Sequence, residues 1–433
     1  MTRLPPDRSE VVFDDFKPAF TPNQAVVEAN RCLYCVDAPC IRACPTSIDI
    51  PDFIRKIATG NLRGSANTIF ASNVLGTSCA RVCPVEVLCV GDCVYNEMGV
   101  PPIQIGKLQR YATDAAVMRG QTFGEAGPDT GRSVGLIGGG PASLAAAHRL
   151  RRFGHRVTIY DSRPLLGGLN VTGIAPYKMK SDAVEHETDW VLAIGGIEVL
   201  RGVSVPRDRT WDQLLTAHDA LFLGFGLGPD SVLELPGGGL GGIEGAVSWI
   251  ERMKLGRVDL SAVRSAVVLG GGNTALDAVR ELAGLGVPEV TMVYRGNEAQ
   301  MSGYAHEWKA AKNEGVRASW GSVPQAFVGE ASVRAVRCAR VDRDRNPTGE
   351  TFELAADLVL LAVGQSKLGD LVLGLPQVSI ERGRIVTSAS GATGHPRIFA
   401  GGDCANGGKE VVNAVAEGRD AAVAIHNLLA GAA

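Results

Sequence analysis

The chain has 433 residues, of which 45% are hydrophobic and 21% charged, and this length allows two to four globular domains. Lys and Arg total 43 against 46 Asp and Glu, a net charge of −3, which argues against nucleic acid or an anionic membrane as a partner. Because no apolar run approaches a membrane-spanning length and residues 1–10 contain no signal-like apolar segment, we expect a soluble, cytoplasmic protein.

Eight of the ten cysteines lie in the first 93 residues, in two groups of four. The first group, with gaps of two, four and three residues and a proline after the last cysteine, has nearly the spacing of a ferredoxin motif. In that motif three thiolates bind one iron–sulfur cluster and the cysteine before proline binds the other. The groups are Cys32, Cys35, Cys40 and Cys44, then Cys79, Cys83, Cys89 and Cys93.

The motif predicts that Cys44 and three of the downstream cysteines bind one [4Fe–4S] cluster. The other cluster, on Cys32, Cys35 and Cys40, then takes its fourth ligand from the spare cysteine or from a residue of another type. Structural zinc is the main alternative, because all-thiolate zinc sites also use paired cysteines. Zinc ribbons usually separate their two pairs widely, so the crowded spacing favours iron–sulfur clusters. Disulfides are the weaker alternative in a chain without an export signal.

A dinucleotide-binding pattern follows the cysteines. The strand predicted at 133–137 leads into Gly138-Gly139-Gly140-Pro141-Ala142-Ser143, and residues 144–153 have helical periodicity. The second predicted strand, 157–160, ends at Asp161, where an acidic side chain can hydrogen-bond a ribose hydroxyl. The order of strand, glycine turn, helix, strand and acid predicts a Rossmann-type nucleotide site, with Ser143 in place of the third glycine.

The same pattern occurs a second time. A strand at 265–269 precedes the turn 270–275, a helix extends to about residue 285, and a strand at 290–294 ends at Arg295. Near the C-terminus, a short strand in 397–403 ends at Asp403 and a helix is predicted from about 410 to 429. From the residues alone, Asp403 is equally well explained as a turn or helix-capping residue and as a cofactor ligand.

These segments resemble the flavin-dependent pyridine-nucleotide oxidoreductases, in which an NAD(P)H domain is inserted into an FAD domain. More narrowly, the chain resembles the N-terminal half of dihydropyrimidine dehydrogenase with its bacterial NADH-oxidising counterparts, and the glutamate synthase small subunits. The resemblance covers almost the whole chain and rests on the cysteine segments 31–50 and 78–93, on residues 102–114, on the glycine turn 138–147, and on FAGGD at 399–403.

The resemblance implies a set of metal ligands. Cys32, Cys35 and Cys40 would bind the first cluster with Gln109 as an unusual fourth ligand. The second cluster would be bound by Cys44, Cys83, Cys89 and Cys93, which leaves Cys79 as the spare thiol.

The resemblance also implies the cofactor contacts. For FAD they are Gly138, Gly140, Pro141, Ala142, Ser143, Asp161, Gly167, Gly168, Leu169, Gly402 and Asp403. For the nicotinamide cofactor they are Gly272, Asn273, Thr274, Arg295, Ala362, Val363 and Gly364. Lys178 stands where dihydropyrimidine dehydrogenase has an Arg beside the flavin, which implies a catalytic positive charge.

NADPH-using relatives carry two further basic residues where this chain has Gly296 and Ser302. A single Arg is a poor clamp for a dianionic 2′-phosphate, which normally accepts several charge-assisted hydrogen bonds. We therefore expect NADH as the reductant, with NADPH as the alternative.

We predict an α/β protein with two Rossmann-type domains, the second inserted in the first, after a helical domain with two [4Fe–4S] clusters. The predicted domains are the helical domain 1–120, the FAD domain 130–232 with 365–433, and the NAD(P)H domain 233–364. In this arrangement the flavin accepts a hydride and passes single electrons to the clusters.

The resemblance assigns reduction of uracil and thymine to a separate FMN-containing barrel, and the predicted domains here use the whole chain. We therefore expect a hetero-oligomer with an FMN-barrel subunit that has its own iron–sulfur clusters. The alternatives are an electron-supplying subunit of glutamate synthase type, a ferredoxin-NAD(P)H oxidoreductase subunit, or a non-enzymatic assembly factor. Gln109 and Ser143, which match the dihydropyrimidine dehydrogenase pattern, argue against the first two, and the intact glycine turns argue against the third.

Overall fold

The computed structural model describes residues 4–366, 368–369 and 371–431, so the outermost residues of two predicted domains, 1–3 and 432–433, lie outside it. The chain forms two units. The first contains Thr172–Lys180 and Gly228–Ser366 with the N-terminal residues up to Asp14, and the second contains Asp15–Val171, Ser181–Leu227 and the C-terminal residues from 368 on. The boundaries of the three predicted domains stay predictions. Within the described residues, no helix combines the length and apolar character needed to cross a bilayer.

The N-terminal part is helical, and polar residues begin several of its helices. Thr21 caps α1 by accepting the N–H of Gln24, and Asp49 and Asn61 cap α3 and α4 in the same way. The helices are α1 (Pro22–Ala29), α2 (Pro39–Arg42), α3 (Ile50–Ala58), α4 (Leu62–Ser72), α5 (Gly76–Val82) and α6 (Ile105–Met118), with short 3₁₀ helices at Ser9–Val12 and Val85–Val87.

The next segment alternates strands with helices, as the hydrophobic pattern predicts. Its elements are β1 (Ser133–Ile137), α7 (Pro141–Arg152), β2 (Arg156–Asp161), α8 (Leu169–Thr172), α9 (Ser181–Leu192), β3 (Ile197–Arg201), α10 (Trp211–Ala217) and β4 (Ala220–Leu223). The predicted strand at 133–137 is confirmed, and the strand predicted at 157–160 extends by one residue at each end.

The second alternating segment contains a three-stranded insertion. Its elements are β5 (Ile243–Gly245), α11 (Ala246–Leu255), β6 (Ser265–Leu269), α12 (Asn273–Gly284), β7 (Glu289–Tyr294), a 3₁₀ helix (Glu298–Gln300), α13 (Ala305–Asn313), β8 (Arg317–Trp320), β9 (Ser322–Gly329), β10 (Val333–Val341), β11 (Pro347–Ala355) and β12 (Leu358–Leu361). Strands β9, β10 and β11 form a separate antiparallel sheet.

The C-terminal segment returns to the second unit. Its elements are β13 (Ile380–Glu381), β14 (Arg384–Ile385), β15 (Ile398–Ala400), α14 (Asp403–Asn406) and α15 (Val411–Gly431). Strand β15 pairs in parallel with β4, and so returns the end of the chain to the sheet that β1 begins.

Each unit contains one five-stranded parallel sheet. The order is β15-β4-β1-β2-β3 in the second unit and β5-β12-β6-β7-β8 in the first. Val134 of β1 lies between Val157 of β2 and Ala220 of β4. In such open sheets, ligands bind outside the carboxyl ends of the strands, where both glycine turns lie. The predicted fold class is confirmed.

Helix α15 packs against α7 at a point where only glycine fits. A Cβ on Gly418 would lie 2.0 Å from the carbonyl oxygen of Ala142. This close approach brings the C-terminal helix to the first turn of α7, directly after the first glycine turn.

We predict that Gly418→Ala destabilises the second unit by about 1–3 kcal/mol, the usual range for overpacking. Alanine is the better helix former by about 1 kcal/mol, but the overlap is with backbone, which cannot move aside as a flexible side chain can. Thermal unfolding of the purified variant measures the change. Gly239→Ala is the control, because no atom lies within 4 Å of a Cβ there. Equal stability of the two variants would contradict this packing.

Candidate functional site

The first glycine turn has the geometry of a phosphate-binding turn. Gly138 has φ +89°, and a Cβ there would lie 2.6 Å from the Cα of Phe225. At Gly140, in contrast, a Cβ would have no neighbour nearer than 3.8 Å, so space remains above the turn. Pro141 begins α7, and its N-cap residue, Gly140, has no side chain that could accept a hydrogen bond, so the N–H groups of the first turn can bind a phosphate.

Asp161, the predicted ribose ligand, ends β2 and is buried. Its Oδ2 accepts the N–H of Gly139 at 2.6 Å, and its Oδ1 accepts the N–H of Arg163 at 2.7 Å. Burial raises the pKa of this carboxyl, against the effect of these two donors. Asp161 therefore holds the glycine turn in place, and a ribose hydroxyl would share oxygens that already accept backbone hydrogen bonds.

Several other predicted FAD contacts converge on this turn. Gly167 donates to the carbonyl oxygen of Gly139 at 2.8 Å, and a Cβ on Gly168 would lie 3.0 Å from the Cα of Gly140. A Cβ on Gly402 would lie 3.1 Å from that of Ala142. Leu169 begins α8, directly after these glycines.

Ser143 provides a test of whether a ligand fits here. Its side chain is fully buried, yet within the described part of the chain its hydroxyl has no hydrogen-bond partner. Gly224, which sequence reasoning missed, lies beside it, because a Cβ on Gly224 would be 2.3 Å from the Ser143 Oγ. The sequence signal that could have identified Gly224 is its position directly after the apolar strand β4. An unsatisfied buried hydroxyl beside an open glycine turn fits a bound dinucleotide.

Asp403 lies at the start of α14, next to Gly402. Burial raises the pKa of its carboxyl to about 6. Gly402 has φ +75°, and its N–H donates to the Oε2 of Glu417 at 2.6 Å. Glu417, on α15, was not predicted from the sequence, and it fixes the segment that presents Asp403.

The second glycine turn is built on the same plan in the first unit. Gly270 has φ +144°, and a Cβ there would lie 2.3 Å from the carbonyl oxygen of Ala362. The predicted loop Ala362, Val363 and Gly364 therefore lies at this turn. A Cβ on Gly272 would lie 3.7 Å from the Ser302 Oγ, so space remains beside this turn. Asn273 and Thr274 begin α12. The Asn273 Oδ1 accepts the N–H of Tyr304 at 3.1 Å.

Arg295 lies directly after β7 and is exposed, which is expected of a residue that contacts the adenosine ribose. Gly296 is buried, and a Cβ there would lie 2.8 Å from the Tyr294 ring. The Ser302 hydroxyl donates to the carbonyl oxygen of Gly271 at 3.4 Å. Neither position supplies a second positive charge.

Lys178 lies in a buried ionic cluster of the first unit. Its Nζ is 2.7 Å from the Asp277 Oδ1 and 2.8 Å from the Glu307 Oε1, and the Tyr177 hydroxyl donates to the same Asp277 oxygen at 2.8 Å. Burial disfavours the charge, but the two carboxylates outweigh burial and raise the pKa of the ammonium. Asp277 and Glu307 were not predicted from the sequence. A catalytic role for Lys178 stays a prediction.

Four cysteines line one cavity of the helical part. Burial raises the pKa of the Cys40 thiol to about 12, and the neighbouring thiols of Cys32, Cys93 and Cys35 add to the effect. The cavity is completed by apolar side chains, among them Ile50, Ile54, Ile103 and Ile105. This grouping differs from the ligand sets that the resemblance implies, in which Cys93 accompanies Cys44, Cys83 and Cys89.

The other cysteines of the helical part form a second group, in which Cys79 is buried and Cys44, Cys83 and Cys89 are half-buried. A hydrogen bond with Cys79 and burial together raise the pKa of the Cys83 thiol well above its usual range, with Cys89 and Cys44 contributing. Burial raises the pKa of Cys89 to about 12, with contributions from Cys44 and from Cys40 of the first group. The two groups are therefore neighbours. Among the described residues, no three His, Cys, Asp or Glu side chains converge as they would on a single ion.

Gln109 lies beside the second group. It is only 8% exposed on α6, and its Nε2 donates to the carbonyl oxygen of Gly76 at 2.8 Å. Gly76 begins α5, the helix that contains Cys79 and is capped at its end by Cys83. With the amide nitrogen fixed in this way, the side-chain oxygen is the atom suited to bind iron.

Two family models match the chain. Residues 8–121 match the model described as dihydropyrimidine dehydrogenase domain II, 4Fe-4S cluster. Residues 132–418 match the model described as pyridine nucleotide-disulphide oxidoreductase.

Full-length relatives are found among curated proteins. The chain is 36% identical over 421 residues to the NAD-dependent dihydropyrimidine dehydrogenase subunit PreT of Escherichia coli K12, covering 97% of this chain and 98% of the relative. It is 33% identical over 440 residues to the glutamate synthase [NADPH] small chain of Azospirillum brasilense, covering 96% and 91%.

Solved structures share the fold of the flavin and nucleotide parts. Thioredoxin reductase of Lactococcus lactis matches with a TM-score of 0.56 and 23% identity, over 69% of this chain and 99% of that one. FprA of Mycobacterium tuberculosis in complex with NADPH matches with a TM-score of 0.57 and 19% identity, over 70% and 85%.

We predict that Lys178→Ala lowers the free energy of unfolding by about 3–5 kcal/mol, because it leaves two buried carboxylates without their cation. Urea unfolding followed by tryptophan fluorescence measures the loss. Lys312→Ala is the matched control, since Lys312 and Glu298 are 2.9 Å apart but 47% and 52% exposed. Removal of such a surface pair costs about 1 kcal/mol or less. Equal losses in the two variants would refute the buried cluster.

We also predict that Cys93→Ser and Cys32→Ser abolish the same iron–sulfur signal, because both thiols line one cavity. Each variant should lose roughly half of the iron of a protein with two cubane clusters. Iron analysis and electron paramagnetic resonance (EPR) of anaerobically purified protein provide the measurement, with Cys338→Ser, a buried thiol of the other unit, as control. If Cys93→Ser and Cys44→Ser abolished the same signal instead, the grouping would be wrong.

Proposed function

This chain belongs to the pyridine nucleotide-disulphide oxidoreductase family and joins that fold to a 4Fe-4S domain of the dihydropyrimidine dehydrogenase type, and from this premise we propose that it is the electron-input subunit of an NAD-dependent dihydropyrimidine dehydrogenase. It is an NAD(P)H-oxidising FAD and iron–sulfur protein. The proposed partner is an FMN-barrel subunit with iron–sulfur clusters of its own, which reduces uracil or thymine to the 5,6-dihydropyrimidine. FAD supplies the change from two-electron to one-electron transfer.

The observation that carries this proposal is the arrangement of the two cysteine groups in the second unit. The second group, which contains Cys44, lies on the side of the sheet β15-β4-β1-β2-β3, the flavin-type sheet. Arg419 of α15 donates to the carbonyl oxygens of Thr46 at 2.8 Å and Ser72 at 3.1 Å, and the Thr46 hydroxyl is 3.3 Å from the Cys44 Sγ. The first group is flanked by the exposed side chains of Leu33 and Val36. We propose that electrons enter at the second group, beside this sheet, and leave at the first group, beside these exposed side chains.

We propose two [4Fe–4S] clusters with a revised division of ligands. The first is bound by Cys32, Cys35, Cys40 and Cys93, which surround one cavity. The second is bound by Cys44, Cys83, Cys89 and the side-chain oxygen of Gln109. The hydrogen bond from Gln109 to α5 supports its place in the second set. Cys79, which is hydrogen-bonded to Cys83, remains the alternative ligand.

The exit for electrons is proposed beside the first cluster. Leu33 and Val36 flank Cys35 and are exposed by 52% and 106%. Neighbouring exposed apolar side chains mark a surface suited to contact with another protein. A partner that covered them would exclude water between its own clusters and this one. The relatives named as a subunit and as a small chain support the existence of such a partner.

NADH is the proposed reductant. Arg295 stands at the end of β7, where it could meet a 2′-phosphate. The two positions at which a further basic residue would help are occupied by the buried Gly296 and by Ser302. The Azospirillum relative is named for NADPH, so comparison of the two reductants is part of the test.

The test is a coupled assay with the FMN-barrel subunit. The isolated chain should reduce a tetrazolium dye, faster with NADH than with NADPH, and leave uracil and thymine unchanged. Addition of the barrel subunit should couple NADH oxidation to uracil reduction. Val36→Glu should lower the coupled rate at least tenfold, because it buries a charge in the proposed contact, and leave dye reduction unchanged.

Val232→Glu is the matched control, since Val232 is 76% exposed but belongs to the other unit. If the pair reduced 2-oxoglutarate and glutamine to glutamate, the glutamate synthase alternative would replace the pyrimidine assignment. If Val36→Glu and Val232→Glu behaved alike, the exit surface would be wrong while the electron-input function stood.

A further inference from the structure

Glu187 is a buried acid that the proposed function does not yet use. It lies on α9, beside the flavin-type sheet, and is 1% exposed. Its partners lie more than 100 positions earlier in the chain, at the start of α5. The Oε1 accepts the N–H groups of Thr77 at 2.8 Å and Ser78 at 3.1 Å, and the Oε2 accepts the N–H of Ser78 at 3.2 Å and its hydroxyl.

These contacts replace the missing cap of α5. Leu75 occupies the N-cap position and has no side chain that could accept a hydrogen bond, so the first N–H groups of the helix need another acceptor. Glu187 supplies it from another helix. In each of these contacts the carboxylate accepts, which is the role of the ionised form. Burial raises the pKa of this carboxyl, and the hydrogen bonds from Ser78 and Thr77 act in the opposite direction.

Helix α5 transmits this contact to the second cysteine group. Cys83 caps its C-terminal end, and the carbonyl oxygen of Gly76, at its first residue, accepts from Gln109. On the other side, Arg81 makes two bonds of 2.8 Å to Asp114 and one of 3.0 Å to the carbonyl oxygen of Thr77. The helix is therefore fixed at both ends, and Glu187 accepts the N–H groups of its first turn.

We propose that Glu187 is a positioning residue for the second iron–sulfur cluster. From the flavin-side helix it fixes α5, and thereby Cys83 and Gln109, and it places a buried negative charge near that cluster. Reduction adds negative charge to a cluster, so a nearby carboxylate lowers its reduction potential and favours transfer onward to the first cluster. This inference rests on the proposed function, since it requires that the second cysteine group binds a cluster.

The experiment is a redox titration of the anaerobically purified full-length protein, followed by EPR and visible absorbance. Glu187→Gln keeps the shape of the side chain but removes its charge. One of the two cluster signals should titrate at a more positive potential, while the other signal and the iron content stay unchanged. Glu187→Asp, which keeps the charge one methylene farther from α5, should shift the same signal less in the same direction.

Asp230→Asn is the matched control. Asp230 caps α11 in the other unit through the same three kinds of donor: the N–H groups of Val247 and Ser248 at 3.0 and 2.9 Å and the Ser248 hydroxyl at 2.7 Å. Loss of this cap should destabilise the protein without moving either cluster potential. A shift in Asp230→Asn equal to that in Glu187→Gln would show a general effect of lost stability and overturn the proposal.

An unchanged potential in a folded, iron-replete Glu187→Gln protein would also overturn it. If that variant loses iron, Glu187→Asp decides, and an unchanged signal there counts against the proposal. Absence of iron and labile sulfide from the wild-type protein would instead refute the proposed function, so the two failures are distinguishable.

Discussion

Backbone lies against backbone at the carboxyl edge of both parallel sheets, and the cofactor sites depend on this approach. A Cβ on Gly138 would overlap the Cα of Phe225, and a Cβ on Gly270 would overlap the carbonyl oxygen of Ala362. Both glycines have a positive φ, which residues with a Cβ rarely adopt. The turn, the helix that starts after it and the neighbouring strand end are therefore fixed together, and a phosphate can approach N–H groups that no side chain covers.

The same requirement for close approach links the glycine turn to the cysteine groups. Gly418 allows α15 to meet the first turn of α7, and Arg419, the next residue, donates to carbonyl oxygens of the helical part at Thr46 and Ser72. One helix thus contacts both the turn and the chain beside Cys44. A change at Gly418 would act on both, because its neighbour cannot keep these bonds if the helix moves outward.

Local sequence patterns were sufficient for the parts of the fold whose residues are close in the chain. Strand β1, the glycine turn, α7 and β2 lie within 29 consecutive residues, and each was predicted nearly to its ends. The grouping of Cys32, Cys35 and Cys40 is of this kind too. Such segments obey hydrophobic periodicity and turn chemistry, which a single sequence contains.

Contacts between distant residues were not predictable in this way. Cys93 lies nearest in sequence to Cys89 but shares a cavity with Cys32, because the loop between α5 and α6 returns it there. Lys178 was expected to act beside a flavin, and no local pattern marks Asp277 or Glu307 as its partners. Gln109 looks like an ordinary helical amide until α5 is packed beside it.

Two charged side chains lie where the flavin-type sheet meets the helical part: Glu187, which is buried, and Arg419, which is half-buried. A buried ionised group costs free energy unless hydrogen bonds satisfy it, and well-packed apolar residues often serve stability as well or better. Here both groups are satisfied by backbone of the helical part, Glu187 by N–H groups and Arg419 by carbonyl oxygens. Each bond fixes a direction as well as a distance, which apolar packing does not. The helical part is thereby held in one register against the sheet, and electron transfer between two cofactors depends on such a fixed separation.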